Sequence, residues 1–290
     1  MSVSQKISEQ ENATLENPGA TREEEDLLGR LAVPADAYYG IQTLRAVDNF
    51  HLSGVPLSHH PRLIASLAMV KQAAADANHQ LGNLETARFE AIVHACQSII
   101  DGNHHDQFVV DMIQGGAGTS TNMNANEVIA NIGLEYLGHA KGDYQHLHPN
   151  NDINMAQSTN DAYPTAIRLG LLLGHDDLLE SLSSLCASFS HKGEEFVDVL
   201  KMGRTQLQDA VPMTLGQEFN AFATTLGEDL KHLKDQVPPL LREVNLGGTA
   251  IGTGINTDPR YQKLAVDQLA AISEHSLEPA HDLIQGNRMT

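Results

Sequence analysis

Positive charge is scarce in this chain. Eighteen Lys and Arg stand against 37 Asp and Glu over 290 residues, a net charge of −19. Such an excess repels a phosphate backbone and an anionic membrane surface, so nucleic acid and lipid are poor partners. It leaves a small anionic substrate open, because a local site can be positive inside a negative protein. Cysteine is nearly absent as well. Cys96 and Cys186 both fall in apolar-periodic, helical stretches, which reads as two buried thiols in a reducing compartment, not a disulfide. No apolar run approaches the length of a membrane span. The first residues are polar and acidic, without the basic-then-apolar order of a secretory signal, so the cytoplasm is the expected location.

Catalytic and cofactor signatures are also missing. Fifteen histidines invite a metal, yet His104 and His105 are adjacent and point apart on any regular element. There is no HExxH and no Cys/His cluster, so no metal site is expected. Gly115, Gly116 and Gly118 precede a helix but fit neither a P-loop nor a GxGxxG turn after a strand. No Ser sits in a nucleophile elbow.

Apolar material is plentiful, at 41% of the chain, and its period is helical. Residues 1–27 are an exception: few apolar anchors and an acidic run, Glu23 to Asp26, predict a disordered, solvated tail. Beyond it the spacing predicts helices over about 61–81, with Pro61 in the first turn and Gly82 at the stop, and over 86–100, with a third starting near Thr121. Two long rods follow, one over 162–200 and one over 215–233. Their seams of Leu and Phe call for antiparallel or parallel partners. The fold class is mainly α, a helical domain followed by a long-helix bundle.

Three uncharged, hydroxyl- and amide-rich loops stand out, each placed before a helix: 114–122 (QGGAGTSTN), 148–161 (HPNNDINMAQSTND) and 203–214 (GRTQLQDAVPMT). In any one of them the hydroxyls serve as ordinary helix caps. Three together, adding exposed N–H groups at positive helix ends, could instead hold a small molecule with more than one carboxylate. They could also hold the charge that builds on a carboxylate when the adjacent carbon is deprotonated. Taken alone, the residues stop at a polyanion-binding helical bundle, more in keeping with an enzyme than with a binding module.

Five long strings resemble, in order, the signature regions of the aspartase/fumarase superfamily: 33–47 (VPADAYYGIQTLRAV), 118–131 (GTSTNMNANEVIAN), 157–166 (QSTNDAYPTA), 201–219 (KMGRTQLQDAVPMTLGQEF) and 245–257 (NLGGTAIGTGINT). The resemblance covers nearly all of 28–284. It implies an N-terminal lyase domain over 28–157 and part of a central helical bundle over 158–290. It also implies a homotetramer with active sites where three subunits meet, and no cofactor. The substrate would be a small dicarboxylate, L-aspartate or fumarate. Carried over by position, Thr119, Ser158 and Thr159 would hold the charge that develops on the β-carboxylate. Asn160 and Thr205 would hold the rest of the substrate, with Gln206 beside them. Fumarases usually carry His at the position of Gln206, and a neutral amide cannot relay a proton as imidazole does. That favours release of ammonia from L-aspartate over hydration of fumarate. The family's general base is a serine in a loop reading roughly GSSxMPxKxNP, and no such string occurs here. The pattern continues to Ile284 and breaks over 285–290. A truncated product or a fragment is therefore expected, with the catalytic loop and C-terminal domain absent, little activity when isolated, and a non-catalytic subunit as the alternative.

Overall fold

The computed structural model describes residues 20–114 and 116–288. The chain enters through a hairpin in which β1 (Thr21–Asp26) pairs antiparallel with β2 (Gly29–Pro34). This corrects the expectation of a solvated tail as far as it concerns these residues; residues 1–19 lie outside those described. The alternation that makes the strand is one of charges. Glu23 and Glu25 face outward to Arg30, at 2.9 and 3.1 Å. Arg22 and Glu24 face inward and pair at 2.8 Å. Arg22 also donates to the carbonyls of Pro34, Ala37 and Tyr39, which fastens the hairpin to the segment that follows.

That segment leads into α1 (Ile41–Asn49), whose first N–H groups have no partner within the helix. Two carboxylates take them. Glu24 accepts from the N–H of Ile41, and Glu127 accepts from those of Gly40, Gln42 and Thr43 at 2.8–3.0 Å. Glu127 is buried, and desolvation pushes its carboxyl up to about 7, against the pull of the backbone N–H groups. The approach is so close that a Cβ on Gly40 would lie 2.6 Å from the Tyr144 hydroxyl and 2.7 Å from Glu24 Oε2.

The centre of the fold is α2 (Pro61–Gln80), whose buried face is rich in alanine, including Ala68, Ala73, Ala74 and Ala77. Small side chains let three helices approach it closely: α3 (Thr86–Ile100), α5 (Thr159–Leu173) and α8 (Tyr261–Ser273). Helix α4 (Thr119–Tyr136) lies deeper still, buried continuously from Thr121 to Leu134. One continuous cluster of buried side chains runs from Ala46 to Leu269. Cys96 belongs to it, whereas Cys186 is only half-buried, and both thiols are free. Among the described residues no helix is long and apolar enough to cross a membrane.

The first long rod is interrupted. At Gly174 it breaks into α5 and α6 (His175–Glu195), and it ends at Glu195, five residues before the expected stop. The second is longer than its spacing suggested, with α7 reaching from Leu215 to Arg242 through Pro238 and Pro239. Between α6 and α7 the third loop is not an open helix entrance. It forms a hairpin of β3 (Leu200–Thr205) and β4 (Gln208–Thr214), with left-handed backbone at Gln206 (φ 46°) and Leu207 (φ 66°). Helices α6 and α7 hold each other through Phe189, Phe196, Phe219 and Phe222, whose ring centroids lie 5.5–6.0 Å apart. A short parallel ladder joins β5 (Glu243–Val244) to β6 (Glu278–Pro279), and α9 (Leu283–Arg288) closes the described chain. Mainly α is the right class, since the strands form only three two-stranded ladders among the described residues.

Candidate active site

Two of the three loops meet around one buried cation. Lys71 lies midway along α2 and is 0% exposed. Its Nζ donates to Asn122 Oδ1 (2.6 Å), Asn154 Oδ1 (2.8 Å) and Gln157 Oε1 (2.9 Å). Asn122 is in the first turn of α4, and the other two belong to the stretch before α5, so one ammonium ties both helix entrances together. Asn122 Nδ2 adds a direct bond to Asn154 Oδ1 at 3.1 Å. Burial lowers the Lys71 ammonium to about 7, while the nearby charge of Asp161 works against that fall.

At the start of α4 the chain turns through Gly116 and Gly118, both at positive φ. Gly118 is forced by packing as well as by backbone, because a Cβ there would lie 2.2–2.5 Å from the ring of Tyr163 on α5. Gln114 clamps the same turn: its amide donates to Thr121 Oγ1 at 2.6 Å and accepts from the Thr121 N–H at 3.1 Å. Thr119 is the first residue of α4 and is exposed.

Ser158 caps α5. Its Oγ accepts from the Asn160 N–H at 3.2 Å, and Asp161 Oδ1 accepts from the Ser158 N–H at 2.8 Å, a capping box. The other oxygen of Asp161 reaches out of the helix. It accepts from Gly247 N–H at 3.1 Å and Thr249 N–H at 2.8 Å, which docks the glycine-rich segment 245–254 onto the entrance of α5. Burial raises the Asp161 carboxyl to about 6, with those N–H groups pulling it down. Asn160 donates to Ala250 O at 2.8 Å. Pro164 has no N–H for the carbonyl of Asn160, one turn back, and Asn245 Nδ2 supplies the missing donor at 2.9 Å. Thr249, left-handed at φ 54°, keeps a buried Oγ1 without a partner.

The structure thus gathers Thr119, Ser158, Thr159 and Asn160 on two adjoining helix entrances, with the glycine-rich segment against the second. Thr205 and Gln206 do not join them through any described hydrogen bond. Both are exposed at the tip of the β3–β4 hairpin, which is tethered to α7 by Lys201 and Glu218 at 2.6 Å. Lys71, Asn154, Asp161 and Tyr163 were missed from sequence. Lys71 left a signal: with Ile64 and Leu67 it makes an i, i+3, i+7 set, a charge on the buried face. The metal expectation rested on spacing along regular elements. The fold brings His139, Asp143 and His146 together across a loop, with one ligand atom of each within 4.8 Å of the others.

Residues 29–286 match the protein family described as Lyase. An aspartate ammonia-lyase of Pseudomonas aeruginosa is 74% identical over 266 residues, 92% of this chain and 56% of that protein. One from Escherichia coli K12 is 53% identical over 265 residues, 91% of this chain and 55% of that protein. Among solved structures, a Brucella melitensis fumarate lyase:delta crystallin bound to cobalt superposes with a TM-score of 0.86 at 57% identity, covering 92% of this chain and 58% of that one. A class II fumarase from Schistosoma mansoni does so with a TM-score of 0.79 at 33% identity, covering 91% and 58%. The chain spans little more than half the length of the curated relatives it matches.

Proposed function

The chain belongs to the lyase family, in its aspartase/fumarase branch, and from that membership we propose that it supplies the carboxylate-binding part of an aspartate ammonia-lyase. The observation that carries the reading is the joining of two hydroxyl-bearing helix entrances through Lys71. Thr119, Ser158 and Thr159 stand where backbone N–H groups and helix dipoles already favour a negative charge. Asn160 and Thr205 take the remaining contacts of L-aspartate, with Gln206 beside Thr205.

In the reaction a base removes a proton from Cβ, and the electron pair moves into the adjoining carboxylate. That group then carries two negative charges, held by the hydroxyl and N–H donors. The pair returns, the Cα–N bond breaks, and ammonia leaves fumarate behind. A serine loop of the family kind, which would supply the base, is not among these 290 residues. The working enzyme is a cytoplasmic homotetramer. The long helices support that assembly: of the 28 residues of α7 only Gly216 is buried, and Leu178, Leu185, Phe222 and Leu240 are exposed along α6 and α7.

The test is a chimaera. These residues, joined to the part of the Pseudomonas aeruginosa relative that they do not cover, are assayed with L-aspartate and L-malate side by side. Fumarate is expected to form from aspartate in preference to malate. Thr119→Ala or Ser158→Ala should each lower kcat by about 10²–10³-fold, the usual loss of one oxyanion donor. The 290 residues alone should release no ammonia above background. A chimaera that prefers malate points to the fumarase reading, and unaltered turnover in both alanine variants refutes the proposed site.

A further inference from the structure

We propose that His139, Asp143 and His146 form a binding site for one transition-metal ion of the zinc or cobalt class. The site sits on the loop that leaves α4, and it is independent of the substrate reading. It is the one group of three such side chains among the described residues whose ligand atoms converge.

The backbone that carries the three is fixed at several points. Helix α4 ends in a left-handed Gly138 (φ 81°), with Gly138 N–H donating to Glu135 O and His139 N–H to Leu134 O at 2.8 Å. The loop is pinned again where Gly142 N–H donates to Asn131 Oδ1 at 2.8 Å and Lys141 Nζ to Asp36 O at 2.7 Å. A turn then closes over the last ligand, with His146 N–H donating to Asp143 O at 3.1 Å.

On that frame the two imidazoles lie face to face, with centroids 3.7 Å apart and planes within 5°. Asp143 Oδ2 is 3.6 Å from His146 Nε2, too long for a hydrogen bond and near the donor–donor separation in a tetrahedral ion site. Neither imidazole has another described hydrogen-bond partner, so ring nitrogens remain for an ion. Two imidazoles and one carboxylate make a borderline donor set that suits Zn²⁺, Co²⁺ or Ni²⁺ better than Ca²⁺ or Mg²⁺. All three side chains are partly exposed, which leaves a coordination position for water. In the stacked arrangement the in-plane lone pairs of the two rings run parallel, so binding an ion requires both imidazoles to turn about their side-chain torsions towards Asp143.

The chain is titrated with Co²⁺ and with Zn²⁺ alone, following heat by calorimetry and the Co²⁺ ligand-field absorption. The expected result is one ion per chain, with nitrogen-ligated Co²⁺ bands. Loss of a ligand costs more than loss of an outer-shell partner, so His139→Gln and His146→Gln should each weaken binding by about 100-fold or more. Asp143→Asn should weaken it less, and exposed His232→Gln not at all. Because the three side chains are surface groups, circular dichroism should show the variants folded as the parent is. The proposal is overturned if the parent binds no ion at micromolar concentrations, or if both glutamine variants bind with unaltered stoichiometry and affinity.

Discussion

Lys71→Met is the perturbation that asks most of the site. Methionine keeps most of the length and the apolar stem but removes the amino group, leaving Asn122 Oδ1, Asn154 Oδ1 and Gln157 Oε1 without their shared donor. Each orphaned acceptor costs about 1–3 kcal/mol when buried. Relief of the ammonium's own desolvation offsets part of that, and removal of one member of a buried charged network typically costs about 3–5 kcal/mol net. For a chain of this size that corresponds to a fall in Tm of roughly 10 °C. The pH dependence identifies the lysine itself. Its folded value of about 7 lies below the ordinary 10.5, so between those limits the unfolded chain binds more protons. The contribution of Lys71 is therefore present above 10.5 and lost as pH falls through 7. Stability of the parent relative to Lys71→Met should grow by about 1.4 kcal/mol per pH unit across that window. Urea denaturation at pH 7, 8 and 9 measures it. Equal stability of parent and variant at all three, or a variant more stable than the parent, would show that Lys71 does not organise the two helix entrances.

Two carboxylates give further tests. Asp161→Asn leaves an amide group facing backbone N–H of Ser158 or of Gly247 and Thr249. It should cost about 1–3 kcal/mol and speed hydrogen exchange in 245–257, and unaltered exchange there would refute the docking role. Glu127→Gln should cost a similar amount by disturbing the start of α1. The raised carboxyl at about 7 means that the proton held by the fold contributes fully below 4.5 and is lost as pH rises through 7. The gap between parent and Glu127→Gln should thus narrow as pH rises from 4.5 to 7; a constant gap would refute it.

The helices were legible wherever apolar spacing alone decided them. Pro61 opens α2, and α3 runs over the expected residues 86–100. Three elements were not, each for a physical reason. The hairpin at Thr21–Asp26 alternates charge, and its partners, Arg30 across the turn and Ile41 on α1, are tertiary. The break at Gly174 interrupts an apolar helical pattern that continues on both sides, so spacing gives no sign of it. The β3–β4 turn places Gln206 and Leu207 in left-handed backbone without a glycine or asparagine, so its turn signal is weak. At the candidate site the hydroxyls were readable because they sit at helix starts. The lysine joining them was not, because its three acceptors are neutral amides 51 to 86 residues further along the chain.

Of the hydroxyls that looked like caps, Ser158 and Thr214 are caps, whereas α4 starts at Gly118 without a side-chain cap. Ser158 spends its Oγ on the Asn160 N–H, and Asp161 completes the box. Capping and substrate binding do not compete here, since a serine oxygen that accepts from the backbone still has its own O–H to donate. Bonded in this way, the donor is held in one orientation before any substrate arrives, which is what stabilisation of a developing charge requires. The division of labour extends through the chain. The helices around α2 and α4 bury a continuous core and fix the entrances of α4 and α5. The α6–α7 pair has little buried beyond its inner aromatic contacts, and it carries the hairpin with Thr205 and Gln206 at an exposed tip. A site built from both parts needs the first to be rigid on its own and the second to be positioned by what packs against its apolar outer faces. That is why the proposed anion-binding half is fixed within one chain, whereas the proposed contacts of Thr205 call for a partner against those outer faces.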